Sequence, residues 1–175
     1  MTLLKELAAR SPLPVALLEF RRGVMWITQG DLHRARIWLG AAHSRLPAYA
    51  PAQGHLAEVE AALGEIDSAI ARLRPLTISS DDPDYAAQLA RILCDVGRVE
   101  EALEWRHKAA TRYEELIARH PAAFADHAAE FWLEVGADPQ RALWLAQKNV
   151  EVRPTPRAYE LLVRTTQATG GAAAV

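Results

Sequence analysis

Cysteine is almost absent, with Cys94 the one instance in 175 residues. A single cysteine excludes an intrachain disulfide and any Cys-x-x-Cys metal or redox pair, so the fold must rest on apolar packing. Aromatics are scarce at 7 %, and glycines number only nine. Valine, isoleucine and threonine are sparse, and few stretches alternate polar with apolar residues. A sheet is therefore not expected. An excess of one charge is missing too: the formal net charge is −2 and the pI is near 6.3. Nothing basic points to nucleic acid, and no like-charge block marks a disordered tail. No apolar run reaches the roughly 18 residues a membrane span requires. Met1 to Arg10 is interrupted by Lys5, Glu6 and Arg10 and lacks the apolar centre of a signal peptide. The expectation is a soluble chain, cytoplasmic for want of a leader, with neither membrane nor nucleic acid as partner.

What remains is alanine and leucine in a chain that is 50 % hydrophobic. Both residues lose little on entering a helix. The few glycines then become informative. Gly30, Gly64, Gly97, Gly136 and Gly170 are spaced by 34, 33, 39 and 34 residues. Behind the first three follow a polar residue, an aliphatic one and, five positions on, an alanine: Ala35, Ala69 and Ala102. The fourth, Gly136 to Ala142, is one residue longer. A glycine ends a helix in the left-handed conformation at no Cβ cost, and a polar residue then caps the next helix. The alanine stands where the second helix crosses the first and keeps the two close. Pro47, Pro121 and Pro154 punctuate the other joint, where one helix must stop and another begin.

The pattern predicts a lead helix over Leu3 to Ala9, then pairs over 14–29 with 31–46, 50–63 with 65–75, 83–96 with 99–119 and 122–135 with 139–152. A last helix covers 156–169, followed by a frayed tail from Gly170 to Val175. An extended second helix, Glu100 to His120, accounts for the 39-residue spacing. Thr77 to Asp84, rich in serine, aspartate and proline, reads as the clearest loop. Each pair is a hairpin that cannot bury its apolar face alone, so hairpins must stack. The whole is read as one all-α domain, 1–175, with repeats at 14–47, 50–82, 83–120 and 122–154.

The register resembles the tetratricopeptide repeat family. Gly23, Trp26, Gly30, Asp31, Ala35, Leu39, Ala42 and Pro47 stand at the spacings of its motif in the first repeat. Ala142, Ala146 and Pro154 close another, and Tyr159, Leu162 and Gly170 shape the next first helix. The likeness runs from about Leu13 to Gly170. It implies a right-handed α-α solenoid of about four repeats plus terminal helices, and a non-enzymatic adaptor or scaffold that binds a partner segment in a concave groove. A self-assembling module forming a homo-oligomer is the alternative. The second and third repeats lack the aromatic near the start of the first helix, and Glu60 replaces a usual large apolar residue. Sel1-like repeats, with a longer spacing, fit less well.

No mark of catalysis accompanies that resemblance. The sequence holds no glycine-rich phosphate loop, no Gly-x-Ser-x-Gly elbow and no His-Glu-x-x-His. The six histidines are scattered over different helices. Asp126, His127, Glu130 and Glu134 share a helix face, but a metal would need ligands from neighbouring helices as well, so no metal and no cofactor is expected. Trp26 and Trp132 are expected in the core. Trp38, Trp105 and Trp144 are expected in the outer layer of second helices.

By the resemblance, first helices line the groove. The residues that would face it are Leu17, Phe20, Val24 and Ile27 in the first repeat and Glu58 in the second. Asp84, Arg91, Cys94 and Asp95 would follow in the third, then Asp126, Glu130 and Glu134 in the fourth, and Arg157, Glu160, Arg164 and Gln167 in the last helix. From Glu58 to Glu134 this set has six carboxylates and one arginine. It does not look like the basic clamp by which some family members hold a C-terminal carboxylate. The expected partner is a protein or peptide of basic character.

Overall fold

The computed structural model describes residues 11–172. Among them are nine α-helices and no strand: α1 Leu13–Thr28, α2 Leu32–Arg45, α3 Ala50–Ala62, α4 Ile66–Ser79, α5 Asp84–Asp95, α6 Val99–Arg119, α7 Pro121–Leu133, α8 Pro139–Val152 and α9 Pro156–Ala172. The expected lead helix, and the tail beyond Ala172, lie outside the described residues. The chain divides into two compact units, Met1–Asp81 and Asp82–Val175.

Each unit is built from stacked hairpins. In the first unit α1 packs on α2, α2 on α3 and α3 on α4, and the first helices α1 and α3 also touch. In the second, the chain of contacts runs α5, α6, α7, α8, α9, with α5 against α7 and α7 against α9. Contact between alternate helices is what places first helices side by side, as in an α-α solenoid.

The turns follow from the glycines. Gly30, Gly64 and Gly97 have φ of +76°, +84° and +78°. After each glycine, the next N–H bonds back to a carbonyl five residues earlier: Asp31 to Trp26 at 3.0 Å, Glu65 to Glu60 at 2.8 Å and Arg98 to Leu93 at 2.8 Å. This satisfies carbonyls that the helix end leaves bare. Capping is less uniform than the sequence suggests. Asp31 and Asp138 accept from the N–H groups of Arg34 and Arg141, both at 2.9 Å. Glu65 and Arg98 occupy cap positions without a side-chain cap.

The fourth turn departs from the rule. With one extra residue, the left-handed position falls on Ala137 at φ +51°, not on Gly136. Gly136 is needed for space instead, since a Cβ there would lie 2.8 Å from Trp132 Cα and 2.9 Å from the Phe131 carbonyl oxygen. Alanine in that conformation is strained by about 1–2 kcal/mol. Ala137→Gly should therefore raise stability by about 1 kcal/mol in denaturant titration. An unchanged or lower midpoint would contradict this account of the turn.

Two helices outrun their expected ends. α4 continues through Pro75 to Ser79 rather than stopping at 75. Leu76, 3 % exposed, anchors the final turn, and the Thr77 hydroxyl donates to the Arg74 carbonyl at 2.8 Å. α9 passes through Gly170, with hydroxyls of Thr165, Thr166 and Thr169 bonded to carbonyls of the preceding turn. The long helix α6, 21 residues, agrees with the reading of the 39-residue spacing.

Alanines sit at the crossings: Ala35, Ala69 and Ala142 have no exposed surface. The first core gathers Leu39, Leu56 and Val59, and the second gathers Tyr113, Phe131, Leu145 and Leu161. Trp26 and Trp132 pack against these cores but are only partly buried. The guanidinium of Arg34 lies 4.5 Å over the Trp26 ring, covering the part that the core leaves open. Trp144 is the most exposed of the outer tryptophans, at 44 %.

Glu60 is the position the repeat pattern could not explain. It is buried and takes two hydrogen bonds from Arg72 of the next helix, at 2.6 and 2.9 Å. Glu19 and Arg45 repeat the device in the first hairpin, at 2.7 and 2.8 Å. A planar guanidinium meets both carboxylate oxygens at once, which lets a charge enter a helix interface.

Candidate functional site

The first-helix face of the second unit carries most of the residues expected in the groove. α5 brings Asp84, Arg91, Cys94 and Asp95; α7 brings Asp126 and Glu130, with Glu134 at its end. The structure changes the charge of that face. Arg157 of α9 donates to Glu130 at 3.1 Å, and Arg164 to Glu134 at 3.1 Å. Arg153 approaches Asp126 at 3.8 Å. Three of the carboxylates counted as an acidic excess thus face arginines from the neighbouring helix or the residues just before it. The arginines of these pairs are exposed to water, so each pair is screened and contributes little to stability.

Asp84 accepts a hydrogen bond from Gln88 at 2.7 Å. Beneath lies Tyr113, 1 % exposed, stacked on Phe131 at 5.0 Å between ring centres. Its hydroxyl is buried without a hydrogen-bond partner. Burial, and then the charges of Asp84, Asp82, Glu130 and Asp126, push its pKa above the usual phenol range. It is locked in the neutral form and serves packing. In the first unit, Glu58 is held by His55 Nδ1 at 3.0 Å. Phe20, expected in an apolar groove end, is packed edge-on against Tyr49 at 5.3 Å.

A cavity of the second unit lies where α5 ends, α6 begins and the α7–α8 turn comes over. It has a volume of about 350 Å³. Ala90, Cys94, Ala102, Leu103 and Val135 form most of its wall, with Arg91, Asp95 and Glu134 among the charged lining residues. Residues expected in the site on two different helices are therefore brought together here. Arg91 and Asp95 have no ion-pair partner among the described residues. Val99 and Leu103, missed by the sequence reading, are each 53 % exposed beside it. Their signal was present: they are four apart on α6, outside the stripe of Ala102, Ala109, Tyr113 and Ile117 that is buried. Arg106, also missed, donates to the Gly136 carbonyl at 2.6 Å and ties α6 to the turn.

Among the described residues no group of three or more His, Cys, Asp or Glu side chains is placed to hold a metal ion. No described helix is long and apolar enough to cross a membrane.

Residues 27–92 match the family model of the tetratricopeptide repeat. The hairpins and glycine turns described above agree with that match, and over this stretch the chain is similar to the tetratricopeptide repeat. Solved structures similar to it include a tetratricopeptide repeat protein from Parabacteroides merdae ATCC 43184, at 16 % identity and a TM-score of 0.46 over 90 % of this chain. This chain spans 61 % of that one. A thermophilic TPR protein of Thermus thermophilus is 19 % identical, with a TM-score of 0.46 over 88 % of this chain and 98 % of that one. A putative kinesin light chain with TPR-like repeats from Podosopora anserina is 18 % identical, with a TM-score of 0.49 over 87 % of this chain and 86 % of that one. No curated protein sequence matches the chain.

Proposed function

We propose that the chain is a non-enzymatic adaptor or scaffold that holds a segment of another protein on the face of its first helices, and that this segment is basic where it meets the second unit. Tetratricopeptide-repeat proteins generally bind proteins and do not catalyse reactions, which supports the coarser half of this reading. The observation that carries the finer half is Asp95. It is exposed, has no ion-pair partner among the described residues, and borders an open hollow. Arg153, Arg157 and Arg164 already meet Asp126, Glu130 and Glu134, so a basic partner residue has most to gain at Asp95, at the C-terminal end of α5.

Selection of random displayed peptides on the whole chain tests this. Binders should be enriched in lysine and arginine, and Asp95→Lys should weaken them about tenfold, as expected for one partly solvated charge pair. Enrichment indifferent to charge removes the basic partner, and a selection without binders removes the adaptor reading. Self-assembly is the second reading, favoured by Tyr159 and Val163, four apart on α9 and exposed at 52 and 54 %. Leu161 is buried and Leu162 packs on the core, so neither is offered to a second copy. A monomer mass in light scattering would dismiss self-assembly.

A further inference from the structure

We infer that the hollow between α5, α6 and the α7–α8 turn seats the apolar side chains of an amphipathic partner segment, which sets an acidic residue against Arg91 and a basic one against Asp95. The inference rests on the interaction reading above and adds where the segment is anchored and what it must carry.

The first ground is the wall. Ala90, Cys94, Ala102, Leu103 and Val135 leave a mainly apolar lining, and about 350 Å³ falls within the size range of ligand pockets. Leu103 and Val99 give more than half of their surface to water. Exposed apolar surface around a concavity, rimmed by charge, is the usual mark of a docking site.

The second ground is rigidity. Arg106 bonds the Gly136 carbonyl at 2.6 Å, and Gly136 is itself buried without room for a Cβ. α6 and the turn are therefore fixed to one another, and a partner meets a formed seat. A preformed seat avoids the ordering cost that weakens binding to a soft surface.

The third ground is charge. Arg91 and Asp95 are one helical turn apart on α5, both exposed, and neither has an ion-pair partner among the described residues. Glu134, by contrast, is already bonded to Arg164. Two opposite charges one turn apart are complementary to a partner helix bearing opposite charges at the same spacing, with apolar residues on the intervening face. A uniformly apolar occupant would leave both charges partly desolvated and unpaired.

Cys94 lies in the wall and is the sole thiol of the chain, which gives a direct probe. The whole chain is equilibrated with symmetrical disulfides of 3-methylbutanethiol, 2-phenylethanethiol, 2-mercaptoethanol and 2-mercaptoethanesulfonate at fixed reductant. Adducts at Cys94 are read by intact mass. The two apolar thiols should be favoured roughly tenfold, the gain expected from burying about two methylene groups. Leu103→Glu, a change at an exposed helix position, should erase the preference while leaving the helical CD signal and melting temperature unchanged. Equal adduct yields for all four thiols, or a preference that survives Leu103→Glu, overturn the inference.

Peptides from the displayed selection then separate this inference from the reading it rests on. If they bind yet neither protect Cys94 from the apolar disulfides nor lose affinity in Leu103→Glu, the adaptor stands and the hollow is not its anchor. If no peptide binds, both fall. If they protect Cys94 and Arg91→Glu costs binding of those with an acidic residue, the inference is upheld.

Discussion

Arg72→Ala should lower the unfolding free energy by about 3–5 kcal/mol, the range seen when one partner of a buried ion pair is removed. Glu60 is 4 % exposed and its two oxygens face only the Arg72 guanidinium in the resolved hydrogen bonds. Removing the arginine leaves a carboxylate with its desolvation cost unmet. The reverse change should cost less. The Arg72 side chain is 21 % exposed and long enough to turn its guanidinium to water once Glu60 is gone. Glu60→Leu with Arg72→Leu should recover most of the loss, because an apolar pair of similar volume often matches a buried salt bridge. Urea titration of the three variants decides it. Arg72→Ala no more costly than Glu60→Ala would show that the pair is not the buried device described here.

The same substitution has a second readout. His43 has its pKa lowered, chiefly by burial and then by the Arg72 charge, while Glu60 acts in the opposite sense. Loss of Arg72 should therefore raise the His43 pKa, visible in its imidazole proton resonances. A lowered histidine pKa means that the unfolded chain takes up the proton first as pH falls. His43 thus favours the folded state above the ordinary histidine range, and that contribution is lost as pH falls through it. The loss should shrink in Arg72→Ala.

Gly23→Ala is the second large effect. A Cβ at Gly23 would lie 2.5 Å from Leu39 Cγ, 2.7 Å from its Cδ2 and 3.2 Å from its backbone nitrogen. Leu39 has no exposed surface and cannot swing aside, so α1 and α2 must separate. Overpacking of this kind costs about 1–3 kcal/mol even after the helix gains from alanine. Leu39→Ala alone should cost about 2–5 kcal/mol by leaving a cavity. In the Leu39→Ala background the sign should reverse: Gly23→Ala now fills space and stabilises by about 1 kcal/mol. A double-mutant cycle showing additive losses would mean that the close approach of the helices at Gly23 is not what fixes that position.

The architecture was legible because its causes are local. Three left-handed glycines, the alanines five residues after them and the prolines at the joints each impose a constraint within one turn of helix, so their register exposed the hairpins. The fourth turn shows the limit: the extra residue was visible, but its effect was to move the strained position to Ala137 and to make Gly136 a matter of space. The sequence pattern ended this helix at 75, yet α4 runs on through Pro75 to Ser79 with Leu76 buried, since packing outweighs a single unfavourable backbone residue.

The candidate site was half legible. A sequence names the residues on a helix face, and so Arg91, Cys94, Asp95 and Glu134, which line the hollow, were named together. It does not say what stands opposite them across the fold. Arg157 and Arg164 of α9 were counted as groove residues of their own, and only packing of α7 against α9 made them the counter-charges of Glu130 and Glu134. Val99, Leu103 and Arg106 were overlooked because they belong to a second helix, and a hollow exists only where three elements meet. By itself the sequence determined helices, turns and pairing, which depend on neighbours close in the chain. The tertiary structure alone decided which charges are neutralised, why Glu60 can be buried and where the surface is concave, because each depends on residues brought together from different helices.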